Sequence, residues 1–231
     1  MRLGWLTDVH LNFVARARRV EFYAQLRGQN LDAVLLGGDT GEAEALRVPI
    51  YFVLVNHDFY RGSIATVRER VTREAAASDW LHWLPSTGVV SLTPDSALIG
   101  HDSWADGPGK HARYAKLNTL GDEAAEYLQD RALEALARHR NVIVLTHVPP
   151  FRESSWHEGR ISNDDFLPHF ACQAVGERLL SIMRGRPDRT MQVLCGHTHS
   201  PGIARPLDNL AVHTGGAQYG EPALQQILEI E

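Results

Sequence analysis

Five short polar groups in the sequence carry residues that can bind metal ions, and each follows an apolar run. Imidazole is the commonest metal ligand in proteins. Nitrogen and oxygen donors without a thiolate suit Mn, Fe, Zn, Co or Ni, and the donor set alone does not choose among them. We therefore expect several of these groups to build one metal site. In chain order they are Asp8-Val9-His10, Gly38-Asp39, Asn56-His57-Asp58, Thr146-His147 and Gly196-His197-Thr198-His199.

Two of the groups hold potential ligands two residues apart. In extended backbone such residues point to the same side of the chain. Asp8 and His10 are therefore expected to present two donors to one site, and the same holds for His197 and His199. The carboxylate of Asp39 can bridge two cations with its two oxygens. One such motif alone is weak evidence for a metal, but five of them together indicate a shared site.

The apolar runs before these groups are typical of strands that are covered on both faces, because none alternates cleanly with polar residues. Amphipathic patterns at 16–28, 122–139 and 169–183 predict helices between them. Alternating strands and helices indicate an α/β domain with a largely parallel sheet. In such sheets ligands bind at the carboxyl ends of the strands, which is where the polar groups stand. The runs read RLGWLTD, LDAVLLGGD, PIYFVLVNHD, NVIVLTH and TMQVLCGH.

Antiparallel strands are expected to flank this parallel core. Residues 86–100 predict a hairpin joined at Pro94-Asp95, and residues 209–230 predict a terminal hairpin around 220–222. No repeat, low-complexity tract or linker-like shift in composition divides the chain. We therefore expect residues 1–231 to form a single domain.

Composition narrows the function classes. The net charge of -5, from 23 basic and 28 acidic side chains, argues against broad electrostatic binding of nucleic acid. Cys172 and Cys195 lack zinc-ribbon spacing and are expected to be small buried residues. No apolar run approaches the roughly 18 residues that span a bilayer, and the first residues do not resemble a signal peptide. These features predict a cytoplasmic protein without a membrane partner.

Taken in order from residue 8 to residue 199, the five groups resemble the signature of the calcineurin-like metallophosphoesterases. That signature runs D-x-H, G-D, G-N-H-[DE], a lone His and G-H-x-H, and all five blocks are present. The resemblance covers nearly the whole chain. It implies an α/β fold in which two mixed β-sheets, flanked by helices, form a four-layer αββα sandwich.

The resemblance also implies a pair of transition-metal ions. It assigns one ion to Asp8, His10, Asp39 and His199, and the other to Asp39, Asn56, His147 and His197. His57 would lie over the phosphoryl group of the substrate, with Asp58 orienting or charging it. The glycine that usually precedes the asparagine is Val55 here, which leaves every chemical group in place but puts the local backbone path in question.

The function implied by the resemblance is hydrolysis of a phosphate ester by a hydroxide that bridges the two metals. The leading hypothesis is a phosphodiesterase or phosphatase acting on a small nucleotide-like or other organic phosphate. A nuclease acting on DNA or RNA and a non-catalytic scaffold remain as alternatives. A purely structural metal site would be closed by protein side chains, whereas seven ligands shared by two ions leave open positions.

Two long irregular segments, 101–119 and 149–168, are expected to face the substrate, because long loops in compact domains are usually functional. Trp104 and Trp156 can stack on a flat group, and the basic side chains can meet a second phosphate. The candidate basic residues are Lys110, His111, Arg113, Arg152, His157 and Arg160.

Overall fold

The computed structural model describes residues 1–38, 43–60, 62–105 and 115–231. The five predicted core strands are confirmed as β1, β2, β3, β7 and β10. The strands are β1 (Arg2–Thr7), β2 (Ala33–Gly37), β3 (Ile50–Val53), β4 (Leu81–Trp83), β5 (Val90–Ser91), β6 (Ser96–His101), β7 (Asn141–Thr146), β8 (Trp156–His157), β9 (Arg160–Ile161), β10 (Thr190–Cys195), β11 (Gly202–Leu207), β12 (Leu210–Thr214) and β13 (Gln226–Glu229). The helices are α1 (Arg16–Arg27), α2 (Ile64–Ala76), α3 (Leu84–Thr87), α4 (Ala115–Arg138), α5 (Leu167–Phe170) and α6 (Gln173–Arg184).

The strands form two mixed sheets. The first has the order β13-β1-β2-β3-β4 and is parallel except for β13, which runs antiparallel to β1. The second has the order β11-β12-β10-β7-β6-β5, in which the two edge strands are antiparallel to their neighbours. The hairpin predicted around Pro94-Asp95 is confirmed, since Val90 pairs with Leu98.

The two sheets pack face to face, with helices on both outer faces. Leu3 and Leu35 of the first sheet share a buried cluster with Leu98, Leu145 and Leu194 of the second. Helices α1 and α2 cover the outer face of the first sheet, and α4 and α6 cover that of the second. Central strands are thus buried on both faces, which explains their continuous apolar runs. The predicted four-layer sandwich of two mixed sheets is confirmed.

The terminal hairpin predicted for residues 209–230 is wrong. Strand β12 pairs with β10 and β11 in the second sheet, whereas β13 pairs with β1 in the first. The segment between them crosses from sheet to sheet, and its ends are tied by Gly215 N–H to Cys195 O and by Gln225 N–H to Trp5 O. Each of these two strands therefore pairs within its own sheet and not with the other. The crossing segment also passes the carboxyl ends of β1 and β10.

The two segments predicted to be irregular contain regular structure. Helix α4 begins at Ala115, so residues 115–119 are helical, and residues 106–114 lie outside the described residues. The second segment contains the β8–β9 hairpin and the start of α5. Helix α6 begins at Gln173 rather than at 169, because the short helix α5 ends before it. Among the described helices, none has the length and apolar character needed to cross a membrane.

Both cysteines are buried and free, as expected from the sequence. Cys195 lies in the last position of β10, and its thiol contacts His213 O and the Thr214 hydroxyl. Burial raises the pKa of Cys195 to about 12, so the thiol stays protonated near neutral pH. Cys195 is therefore part of the strand that positions the following histidines.

Candidate metal centre

Asp8, His10 and His199 bring one potential ligand atom each to within 4.8 Å of one another. The Nε2 atoms of the two histidines are 3.1 Å apart, and His199 Nε2 is 3.7 Å from Asp8 Oδ1. Asp8 and His10 are buried, while His199 is partly exposed. We call this set the aspartate group; its nitrogen and oxygen donors suit a transition-metal ion.

A second set, the asparagine group, consists of Asn56, His147 and His197. Asn56 Oδ1 is 3.0 Å from His147 Nε2, which is 3.1 Å from His197 Nδ1. The two groups are adjacent, because the other ring nitrogen of His147, Nδ1, is 3.9 Å from Asp8 Oδ1. The His147 ring therefore lies between the two groups, with one nitrogen directed toward each.

Backbone conformation explains how the paired histidines reach the site, and it differs from the expectation of extended chain. Asp8, His10, His197 and His199 all lie in the left-handed region, with φ of 48°, 44°, 72° and 60°. They make up four of the eight non-glycine residues with positive φ in the described part of the chain. Such strained residues concentrate at functional sites. The ligands thus follow the strands as tight turns and do not continue them.

The Asp8 carboxylate is fixed by donors from both sides. Its Oδ2 accepts the Thr7 hydroxyl at 2.7 Å and the His197 N–H at 2.9 Å. Burial alone would raise the pKa of Asp8, but the charge of His147 and the hydrogen bonds from His199, His197 and Thr7 lower it far below its usual value. Asp8 is therefore ionised near neutral pH.

Hydrogen bonding also selects the tautomer of His197. Its Nε2 is 2.9 Å from the carbonyl oxygen of His169, which can only accept, so Nε2 carries the proton and Nδ1 keeps its lone pair. Burial is the largest cause lowering the pKa of His197, and it also lowers the pKa of His147, to about 3. Both rings are therefore neutral near pH 7, the form in which imidazole binds a metal.

These donors fit a metal ion. The Nδ1 atom of His147 is fully buried and has no hydrogen-bond partner within the described ranges. Two neutral ring nitrogens and an amide oxygen also converge at 3.0 and 3.1 Å in the asparagine group, so three donors of the kind that bind transition metals are available at one point. Two of the candidate ligands are also held by hydrogen bonds to other residues, Asp8 by the Thr7 hydroxyl and His197 by the His169 carbonyl, as metal ligands usually are.

Gly38 and Val55 explain the departure from the expected glycine before Asn56. Val55 has an extended backbone, with φ -111° and ψ 165°, which any residue can adopt. Its side chain packs on Gly38, which has φ 103° and where an added Cβ would lie 1.9 Å from Val55 Cγ1. The loop therefore does not require glycine at position 55. Asp39, the predicted bridge, lies outside the described residues.

The sequence profile described as calcineurin-like phosphoesterase matches residues 1–201. The chain belongs to this family. Its fold is also that of a solved dimetal phosphatase from Danio rerio, at a TM-score of 0.65 and 14% identity over 96% of this chain and 89% of that one. A 5'-nucleotidase from Candida albicans matches at a TM-score of 0.46 and 12% identity, over 93% of this chain and 45% of that one. No curated protein matches the sequence.

In this calcineurin-like phosphoesterase, Tyr60 holds the amide of Asn56. The Nδ2 group of Asn56 donates to the Tyr60 hydroxyl at 2.9 Å, which leaves Oδ1 facing His147. The amide is thus oriented with its oxygen toward the asparagine group. Sequence reasoning did not identify Tyr60, although its position four residues after Asn56 in a short helical turn places the two side chains together.

The predicted catalytic residues His57 and Asp58 lie in the 3₁₀ helix Asn56–Phe59. The His57 ring lies 5.5 Å from the His10 ring, which places it beside the aspartate group. Asp58 Oδ2 accepts the backbone N–H of Val55 at 2.8 Å. Asp58 therefore stabilises the turn that carries both Asn56 and His57.

The residues expected to contact substrate are scattered. Trp104 packs against Phe59 at 4.9 Å between ring centres, and Trp156 packs over the backbone of Gly202. His157 contacts the turn that carries His197 and His199, with Nδ1 3.4 Å from Thr198 O.

The basic residues expected at the substrate divide into two sets. Arg152 is paired with Asp164, and Arg160 is an exposed side chain 3.9 Å from Glu158. Neither is placed with the aspartate or the asparagine group. Lys110, His111 and Arg113 lie outside the described residues.

Two cavities lie near this end of the fold. The larger, of about 940 Å³, is lined by the β8–β9 hairpin, α6 and β11, and by no residue of either ligand group. The smaller, of about 550 Å³, is lined by His57 and Asp58 and by residues that sequence reasoning missed: Asn12, Phe13, Tyr60, Thr66, Arg70 and Tyr219. They come from separate segments of the chain, with Thr66 and Arg70 in α2, and no sequence motif joins them.

Proposed function

We propose that the protein hydrolyses phosphate esters of small organic molecules with two metal ions held by the aspartate and asparagine groups. The observation that carries the proposal is that six ligand atoms from four chain segments form two adjacent groups around His147. Asp39 follows Gly38 directly, and we assign it to both ions as the bridge. The identity of the ions is left open among Mn, Fe, Zn, Co and Ni.

Two bound ions would supply Lewis acidity toward phosphoryl oxygens and would activate water near neutral pH. The protein's own side chains would hold the ions and position the substrate. Asp8, held by Thr7 and the His197 N–H, gives a ligand that is ionised near neutral pH. His57 borders the open cavity beside the site, and we assign it to donate a proton to the leaving ester oxygen or a hydrogen bond to the phosphoryl group.

A nuclease is the second candidate, and charge disfavours it. Nucleic-acid binding needs a basic track leading from the site, whereas the chain carries a net charge of -5. The cavity beside His57 is lined by one arginine and no lysine within the described ranges. A non-catalytic scaffold would be marked by lost ligands, and every position of the family motif carries its metal-binding residue here.

We also propose that residues 1–231 act as one domain in the cytoplasm. The family profile ends at residue 201, but β11 and β12 beyond it belong to the second sheet and β13 belongs to the first. The cavity beside His57 also includes Tyr219, which lies past residue 201. A protein cut after residue 201 is therefore expected to lose all three strands and part of the site.

The test is a metal-reconstituted protein assayed against monoesters, diesters, cyclic nucleotides and dinucleotides. We expect hydrolysis of at least one class, abolished by a chelator. Replacing Asp39 with Asn should remove metal and activity together, whereas His57→Ala should lose activity and keep both ions. Inactivity on every ester with two ions bound would instead favour the scaffold, and full metal content in the Asp39→Asn variant would contradict the bridging assignment.

A further inference from the structure

The cavity of about 550 Å³ beside the candidate metal centre is lined by solvent-exposed aromatic side chains. Phe13, Tyr60 and Tyr219 line it and are 59%, 70% and 54% exposed. Single exposed aromatic residues are common on protein surfaces, but several around one concavity mark a binding site. The volume falls in the range of about 300–1,000 Å³ that small-molecule sites occupy.

The aromatic rings continue directly from the histidines of the centre. Tyr219 stacks on His10 with ring centres 4.5 Å apart and an interplanar angle of 29°, and Phe13 meets Tyr219 edge-on at 5.1 Å. Tyr60 lies 4.9 Å from His57 on the other side. A flat group joined to a phosphoryl group at the metal centre would therefore meet ring faces as soon as it passes His57.

Polar groups accompany these rings on the cavity wall. Asn12 and Thr66 supply an amide and a hydroxyl, and Arg70 supplies a cation whose Nε is 3.8 Å from the exposed Glu74. Aromatic faces with a few directed hydrogen-bonding groups suit a planar ring that carries polar edges. A short alkyl alcohol would leave the ring faces without a matching partner.

We propose that this cavity binds a planar aromatic ring in the alcohol portion of the substrate, so that the substrate class is an aromatic phosphate ester. The proposal rests on the proposed phosphoesterase function and assigns the specificity of the same site to Phe13 and Tyr219. The ring can belong to a nucleobase carried on a sugar or can be bonded directly to the ester oxygen. Both sources present the same flat π surface.

Matched substrate pairs separate ring binding from hydrolysis itself. Adenosine 5'-monophosphate and ribose 5-phosphate share the sugar phosphate and differ by the base, while phenyl phosphate and ethyl phosphate test a ring on the ester oxygen. Because stacking on an aromatic side chain contributes about 1–3 kcal/mol per base, we expect kcat/KM to favour the ring-bearing member of at least one pair by about 10-fold or more. The pair whose preference falls in Phe13→Leu identifies the source of the ring, because the better leaving group of phenyl phosphate raises kcat/KM in the wild type and the variant alike.

Variants then test which residues hold the ring. Phe13→Ala and Phe13→Leu should both reduce that preference about 10-fold or more, because leucine keeps apolar bulk but has no ring face. Tyr219→Ala should reduce it as well. The matched control is Trp80→Ala, which removes an aromatic side chain that is 36% exposed and lines neither cavity near the centre; it should keep the wild-type preference.

A binding measurement makes the result independent of turnover. Adenosine and phenol, titrated by saturation-transfer NMR into the full-length protein in chelator, should show at least one ring that binds the wild type and not Phe13→Leu. Equal kcat/KM within both pairs, or a preference kept in Phe13→Leu, would overturn the aromatic site while leaving the phosphoesterase intact. If no ester is hydrolysed but a ring still binds through Phe13, the proposed function fails and the site stands.

Discussion

Replacing Gly196 with alanine should disrupt the metal centre without removing any ligand. Gly196 lies between the end of β10 and His197, and an added Cβ would stand 1.9 Å from Asp8 Oδ2 and 2.2 Å from Thr7 Oγ1. Ordinary contact begins at 3.4 Å, so the carboxylate oxygen would have to move by about 1.5 Å. The Thr7 hydroxyl, which donates to that oxygen, would be displaced with it.

The expected loss of activity follows from the narrow range of distances over which a ligand can bind a metal ion. Ligand distances in metal sites hold to within about 0.2 Å, and a displacement of about 1 Å in an active site costs roughly 100-fold in rate. We therefore expect Gly196→Ala to lose at least about 100-fold in kcat/KM. The variant should also retain less metal, because Asp8 is the carboxylate of the aspartate group.

The assay is metal content after dialysis, together with kcat/KM on the preferred ester and circular dichroism for the fold. Gly185→Ala is the matched control, because a Cβ there meets nothing closer than 3.7 Å and its φ is -83°. It should match the wild type in all three measurements. If Gly196→Ala bound two ions and turned over normally, the contact between this backbone and Asp8 would not position the ligand.

Three further predictions test the supports of the site. Tyr60→Phe keeps the ring but loses the hydrogen bond to Asn56, so metal affinity measured by titration should fall about 10- to 100-fold. Asp102→Ala removes a fully buried carboxylate 3.5 Å from Arg68 Nε, and urea unfolding should show a loss of about 3–5 kcal/mol, with Asp102→Asn losing less. Burial and then the Arg68 charge lower the pKa of His101 from 6.5 to about 3. The unfolded chain thus binds this proton more readily, so stability falls as pH drops through 6.5; His101→Gln should lose about 2 kcal/mol less than the wild type between pH 7 and pH 5.

The core strands could be predicted from the sequence because strands that are covered on both faces have continuous apolar sequences. The strand Asn141–Thr146, for example, is buried along nearly its whole length, and its sequence NVIVLT is correspondingly apolar. The polar residue after each run marks the carboxyl end of a strand. These rules place Asn56 and His147 at the carboxyl ends of strands, but the two strands belong to different sheets, and the face-to-face packing of the sheets brings the two side chains together.

Pairing at the C-terminus could not be predicted, because hydrophobic pattern does not identify a partner strand. Leu210–Thr214 and Gln226–Glu229 read as adjacent strands, and a local hairpin is the shortest connection between them. The alternative partners, β1 and β10, are distant in sequence and offer ladders that only the assembled sheets provide. The aromatic cavity was missed for the same reason, since Phe13 and Tyr219 meet only after this crossing.

The left-handed turns at Asp8, His10, His197 and His199 show that spacing alone predicted the wrong backbone geometry for these candidate ligands. Each left-handed non-glycine residue costs roughly 1–2 kcal/mol of folding free energy. The protein bears this cost whether or not an ion is bound. Local bonds offset it: Phe13 N–H donates to His10 O, Thr198 N–H to Gly196 O, and Ala217 N–H to His199 O. The last of these bonds comes from the crossing segment. The crossing segment therefore helps to hold the second histidine turn in place, and the candidate metal centre depends on residues beyond its own motif.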